Sequence, residues 1–293
     1  MHTTEGKEQK KERKEKMASK YKVTTNKKAE LQKKRVGIHG KPGSGKSVLA
    51  ATLDPKCPMK LPATKWTKLP GTVWVPFDTN ATQALRDCKL EVESAPWEDM
   101  LYDAEDNVCD ALSELTDFLF EQVIDAKKNL IVVDTATKLD ILVNRWWNDN
   151  PVLSPRGGVD GFGTGAAIRS TMARFHDNLD QLDCDIVWCM HSKPASESDS
   201  AKKKDRAQAL PGGSELQFAF FYKETLNAYR NDNDFILVTE CKVNKSTKKY
   251  EYACYADEHN GFEAKSRFRN TLPPGPQPSH LRKIYDTIEK GIK

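Results

Sequence analysis

Gly40-Lys41-Pro42-Gly43-Ser44-Gly45-Lys46-Ser47 gathers three glycines, a reaching lysine and a hydroxyl into eight residues. Those types at that spacing suit phosphate. Glycines at 40, 43 and 45 let backbone N–H groups turn inward around a phosphate chain that side chains would obstruct. Lys46 can reach the β- and γ-phosphates, and the Ser47 hydroxyl suits a Mg²⁺ ligand. The flanks agree: the apolar run Val36-Gly37-Ile38 precedes the loop, and Val48-Leu49-Ala50-Ala51-Thr52-Leu53 follows it as a helical run. A helix starting near Lys46 points the positive end of its dipole at the same anion. A chance glycine-rich turn is the alternative, and the strand–loop–helix context argues against it. Residues 40 to 48, Val48 included, are therefore read as the cradle for a nucleoside triphosphate with Mg²⁺.

Other positions could complete a reaction centre. Asp134 ends the apolar run Leu130-Ile131-Val132-Val133, where an acid can hold Mg²⁺ through water, or simply cap the next helix. Hydrolysis also needs a carboxylate to position the attacking water. Thr135 occupies the place after Asp134, so the candidate moves to a neighbouring strand end, Asp78 with Asn80 two residues on. Strand ends on one edge of a parallel sheet converge on one crevice. His191 follows the apolar run Ile186–Met190 and is expected at that same edge, against the γ-phosphate or in a purely structural role. Lys265 and Arg267 alternate, so in an extended segment they point to one side, as cations reaching a neighbouring subunit's phosphate would.

The elements needed to hold these residues are legible as patterns. Thr72–Phe77, Leu130–Val133 and Asp185–Met190 read as buried strands. Asn107–Lys127 reads as an amphipathic helix, with Val108, Ala111, Leu112, Leu115, Phe118, Leu119 and Val123 at steps of three and four. Residues 148–165, with five glycines and two prolines, read as loop, followed by a helix presenting Ile168, Met172, Phe175, Leu179 and Leu182. Residues 193–213, containing Lys202-Lys203-Lys204, read as a second polar loop. Phe235–Val243 and Tyr250–Tyr255 read as a hairpin turning through 244–249. Pro55, Pro58, Pro62 and Pro70 preclude a regular helix in the connection after the phosphate loop. The expected fold is α/β: a mostly parallel sheet with helices on both faces and an antiparallel C-terminal hairpin.

Charge divides the 293-residue chain unevenly. Residues 1–35 carry 13 Lys and Arg against 5 Asp and Glu, leaving 33 against 37 in the remainder. The basic character belongs to the tail and the body is mildly acidic, which weakens any argument from pI to nucleic-acid binding by the core. Residues 1–34 are expected to be a disordered basic arm. Residues 35–278 form the expected domain, with 154–165 and 193–213 as mobile loops and 279–293 as a C-terminal helix. Seven cysteines show no CxxC pair or metal spacing, which fits free thiols in a reducing compartment. With no long apolar run and no signal-peptide pattern, a cytoplasmic location and no membrane partner are expected.

Taken in order, these motifs resemble RecA-fold ATPases, and in particular phage-encoded RecA-core proteins of the single-strand-annealing (Sak-type) group. The resemblance spans about Arg35 to Pro278. It rests on the phosphate loop, the acid after the second strand, Asp134-Thr135, Gly161-Phe162-Gly163, the strand ending in His191, and Ala264-Lys265-Ser266-Arg267-Phe268 before its prolines. It implies ATP-dependent binding of single-stranded DNA by a homo-oligomeric ring or filament with ATP at subunit interfaces. It also implies a single-strand-binding protein as a partner and residence in a phage's bacterial host. By resemblance Lys265 and Arg267 match cations acting in trans, and Asp78 or Asn80 matches the water-activating glutamate. Asparagine at 80, where the family carries glutamate, implies slow hydrolysis. Phe162 is the one aromatic candidate for stacking a base, and Lys202, Lys203 and Lys204 suit a backbone-tracking groove. Three other readings share the phosphate loop: a DNA helicase or translocase, a small-molecule kinase, and an ATP-switched interaction protein. A kinase lid would be rich in arginine, and the 193–213 loop holds only Arg206.

Overall fold

Three apolar runs become the centre of one sheet. In the computed structural model, which describes residues 34–54, 71–78, 85–86, 92–194, 216–218, 229–257, 264–266 and 272–292, β1 (Arg35–Gly40), β3 (Leu130–Asp134) and β4 (Asp185–Pro194) are parallel neighbours. β2 (Thr72–Pro76) adds beside β3, and β6 (Phe235–Val243) adds beside β1. All five strands are parallel, and their continuous Val, Ile and Leu content is what burial on both faces requires. Antiparallel additions close the far side: β7 (Tyr250–Tyr255) pairs with β6, and β9 (Pro276–Gln277) pairs with β7. β5 (Leu216–Phe218) pairs with β4, and β8 (Lys265–Ser266) pairs with β6. The order is β2-β3-β4-β1-β6-β7-β9.

Helices cover the sheet where their apolar spacing demands it. α1 (Lys46–Ala51) follows the glycine loop, and α2 (Trp97–Asp103) precedes the amphipathic α3 (Val108–Ile124). Asn107 starts α3 by accepting hydrogen bonds from the N–H groups of Cys109 and Asp110, satisfying two donors that a helix start leaves free. α4 (Ala136–Asp149) leaves directly from β3, its first turn capped by the Thr135 hydroxyl accepting from Lys138 N–H at 3.1 Å.

α5 (Gly161–Asp180) begins earlier than the glycine content suggests. Residues 161–165 are helix rather than mobile loop, which corrects the expectation for 154–165. Asp160 accepts from Gly163 N–H at 2.9 Å, and the Thr164 hydroxyl donates back to the Asp160 carbonyl at 2.8 Å. A Cβ on Gly163 would lie 2.7 Å from the Asp160 carboxylate, so glycine here serves the cap. β4 likewise continues through His191 to Pro194. Residues 195–213, the rest of the second expected loop, lie outside the described residues, as do the arm to residue 33 and the proline-rich connection 55–70.

Lys34, the last residue of the predicted arm, is buried at the start of β1. Its N–H donates to Asp185 at 2.9 Å, and the Arg35 guanidinium grips Asp180 at 2.6 Å. α6 (Leu281–Ile292) then buries Leu281, Ile284, Tyr285 and Ile288 completely. It also ties to the end of α1: Leu281 N–H donates to the Thr52 hydroxyl at 2.9 Å, and Arg282 donates to the Asp54 carbonyl. Residues 33–293 form one compact unit. No described helix is long and apolar enough to cross a membrane.

Candidate nucleotide site

Gly43 and Gly45 take φ values of +75° and +91°, conformations that fold the loop back on itself and that side chains resist. Gly40 is fixed by contact: a Cβ there would lie 2.5 Å from both the Ser44 hydroxyl and the Thr239 carbonyl. Thr239, on β6, braces the loop from below. Its hydroxyl donates to the His39 carbonyl at 3.2 Å and accepts from Ser44 at 2.7 Å. The Lys46 ammonium lies across the loop, donating to the carbonyls of Gly40 at 3.2 Å and Lys41 at 3.0 Å. Burial pushes Lys46 below its ordinary value, and Cys189, Asp134 and Asp78 pull it back.

Four residues predicted from separate motifs meet here. The Asp78 N–H donates to the Asp134 carbonyl at 3.1 Å, joining the ends of β2 and β3. The Asp78 carboxylate stands 4.0 Å from His191 Nε2. His191 is anchored by its own N–H, which donates to the Thr137 hydroxyl at 2.9 Å. Burial and the Lys46 charge hold the imidazole below its usual range, with Asp78 opposing, so near neutral pH it is uncharged.

Asp134, at the end of β3, is the acid of this site whose charge burial opposes. It is fully buried, and neither carboxylate oxygen completes a hydrogen bond among the described residues. Burial pushes its carboxyl up to about 6, against the pull of the facing Ser47 hydroxyl and Lys46, and Asp78 pushes it further up. A buried carboxylate faced by no more than a serine hydroxyl and the Lys46 charge is costly unless a cation completes it. Ser47 and Asp134 therefore fit a hard divalent ion held by oxygen.

Two further predicted residues stand elsewhere. Lys265 is at the other end of the sheet: β8 pairs with Phe235 and Ile236, level with the beginning of β1. Its ammonium donates to the carbonyls of Arg230 and Asn231. Phe162 is 83% exposed in the first turn of α5. Asn80, Arg267, Lys202, Lys203 and Lys204 lie outside the described residues. The motifs did not reveal Thr239, Thr137 or Cys189. The first two are ordinary threonines within a strand and a helix. Cys189 is buried opposite Asp134 in the β3–β4 register.

A phosphate loop after β1 and an acid ending β3, with β4 between them, define a RecA-like P-loop NTPase core. The chain belongs to the AAA domain family, whose model matches residues 32–268. Among solved structures, the flagellar accessory protein FlaH from Methanocaldococcus jannaschii is similar at 11% identity and a TM-score of 0.36, covering 78% of this chain and 79% of that one. No curated protein matches the chain.

Proposed function

We propose that this protein hydrolyses ATP and binds single-stranded DNA, acting as an oligomer in phage recombination or strand annealing. The observation that carries the hydrolytic part is the convergence of Lys46, Asp78, Asp134 and His191 on one sheet edge. In this reading the N–H groups of residues 43–48 cradle the phosphates, and Lys46 swings from the Gly40 and Lys41 carbonyls to the β- and γ-phosphates. Ser47 and Asp134 would hold Mg²⁺, whose charge would neutralise developing phosphate charge. Asp78 orients the attacking water from the end of β2, with Asn80 beside it in sequence. His191, neutral and anchored through Thr137, contacts the γ-phosphate and links its presence to the segment after β4.

Oligomerisation draws support from Lys265. It stands at the end of the sheet away from its own phosphate loop, so with Arg267 it serves a nucleotide bound by a neighbour. DNA binding rests on the family resemblance, with exposed Phe162 as a stacking surface and Lys202–Lys204 as backbone contacts. The test is the ATPase rate with and without single-stranded DNA, alongside particle size. Stimulated turnover by a multimer is the expected result. Brisk turnover with directional unwinding would favour a motor, and DNA-independent turnover by a monomer would overturn the proposal.

A further inference from the structure

The sheet order divides the site into two flanks. Asp78, Asp134 and His191 all lie on the β4-β3-β2 side of β1. A triphosphate in the loop with its γ-phosphate toward those groups must direct its nucleoside to the opposite side, toward β6 and β7. One aromatic residue stands there against the loop itself. Tyr252 lies on β7 opposite Cys241, and its ring is so close to Gly45 that a Cβ on that glycine would sit 2.9 Å from Tyr252 Cδ1. The strand pairing and a hydrogen bond from the Ser279 hydroxyl to the Tyr252 carbonyl at 3.2 Å fix its backbone. Yet 52% of the residue is exposed, and Tyr250, next on the same face, is 69% exposed. A rigidly mounted, half-open tyrosine beside the start of α1 has the form of a stacking surface for a planar ring.

We propose that Tyr252 is the platform on which the purine base of the bound triphosphate stacks. The proposal rests on the reading of residues 40–48 as a nucleotide site and adds the position of the base to it. It also gives Gly45 a second reason to be glycine: any side chain would displace the ring as well as strain the turn. Because stacking reads a π-face rather than hydrogen-bonding edges, Tyr252 contributes affinity for purines with little choice between adenine and guanine.

Calorimetric binding of MgATP and of magnesium tripolyphosphate, which lacks base and sugar, tests this in the wild type, Tyr252→Ala and Tyr252→Phe. Tyr252→Ala is expected to weaken MgATP by about tenfold, equal to about 1.4 kcal/mol, and to leave tripolyphosphate unchanged. Tyr252→Phe should bind both ligands as the wild type does. Unchanged ATP affinity in Tyr252→Ala would overturn the proposal while leaving the phosphate loop intact. Equal loss of both ligands would also overturn it, since the tyrosine would then act through the loop. Binding of neither ligand by the wild type would overturn the nucleotide reading and the platform together.

Discussion

Asp134 shows how one side chain can work against the fold that contains it. Its carboxyl is raised from 3.8 to about 6 by burial, a gap that corresponds to about 3 kcal/mol favouring the neutral form. The sign follows from linkage. Between 3.8 and 6 the folded state binds more protons than the unfolded, so stability falls as pH rises through that window and the loss is complete above about 6. Asp134→Asn should therefore raise the unfolding free energy of the ligand-free protein at pH 7.5, by up to about 3 kcal/mol. The advantage should vanish near pH 4, and ATP turnover should be lost. Urea titrations at the two pH values and a phosphate-release assay measure both halves.

At the level of elements, α6 is where the C-terminus meets the nucleotide site, through Thr52 and Asp54 at the end of α1. His280 stands at its entrance, buried, with both ring nitrogens unpartnered among the described residues. Burial, with Arg282 and Lys283 nearby, pushes its imidazole down to about 4. The unfolded chain takes up a proton near 6.5 and the fold does not until about 4, so His280 costs stability as pH falls between those values. Replacing it by leucine should flatten the acid limb of the stability profile over that range, followed by thermal denaturation from pH 7.5 to 4.

The same scale shows what could be read from sequence. β1, β3 and β4 were visible because buried parallel strands are apolar throughout, and α3 because its apolar residues keep helical spacing. The start of α5 was hidden because glycines at 161, 163 and 165 signal loop, while the deciding contact, Asp160 accepting from Gly163, is a matter of geometry. Asp78 and Asp134 were legible as strand ends, and His191 as the first polar residue after an apolar run, although β4 continues past it to Pro194. Thr239 and Tyr252 were not, because what places them is the closure of β6 and β7 beside β1, a pairing between residues far apart in sequence.

For the whole molecule, the separation of Lys265 from its own phosphate loop sets a mixing test. Lys46→Ala spoils the cradle, and Lys265→Ala removes the cation proposed to serve a neighbour. If the two act across an interface, each variant alone should be nearly inactive, while a mixture regains activity. Roughly a quarter of the interfaces in a random 1:1 assembly would pair an intact loop with an intact lysine. An ATPase assay on mixed and separate variants reads this directly, and no recovery on mixing would place Lys265 outside the reaction.

β1 also orders the assembly of the molecule in time. It is the first described strand, yet it lies at the centre, and the residues that anchor its start are Asp185 and Asp234, at sequence separations of 151 and 199. Contacts that distant close late and slow folding. The cradle between Gly40 and Ser47 leaves the ribosome early but has no braced floor until Thr239 arrives nearly two hundred residues later. A growing chain is therefore expected to grip nucleotide only once β6 has paired beside β1.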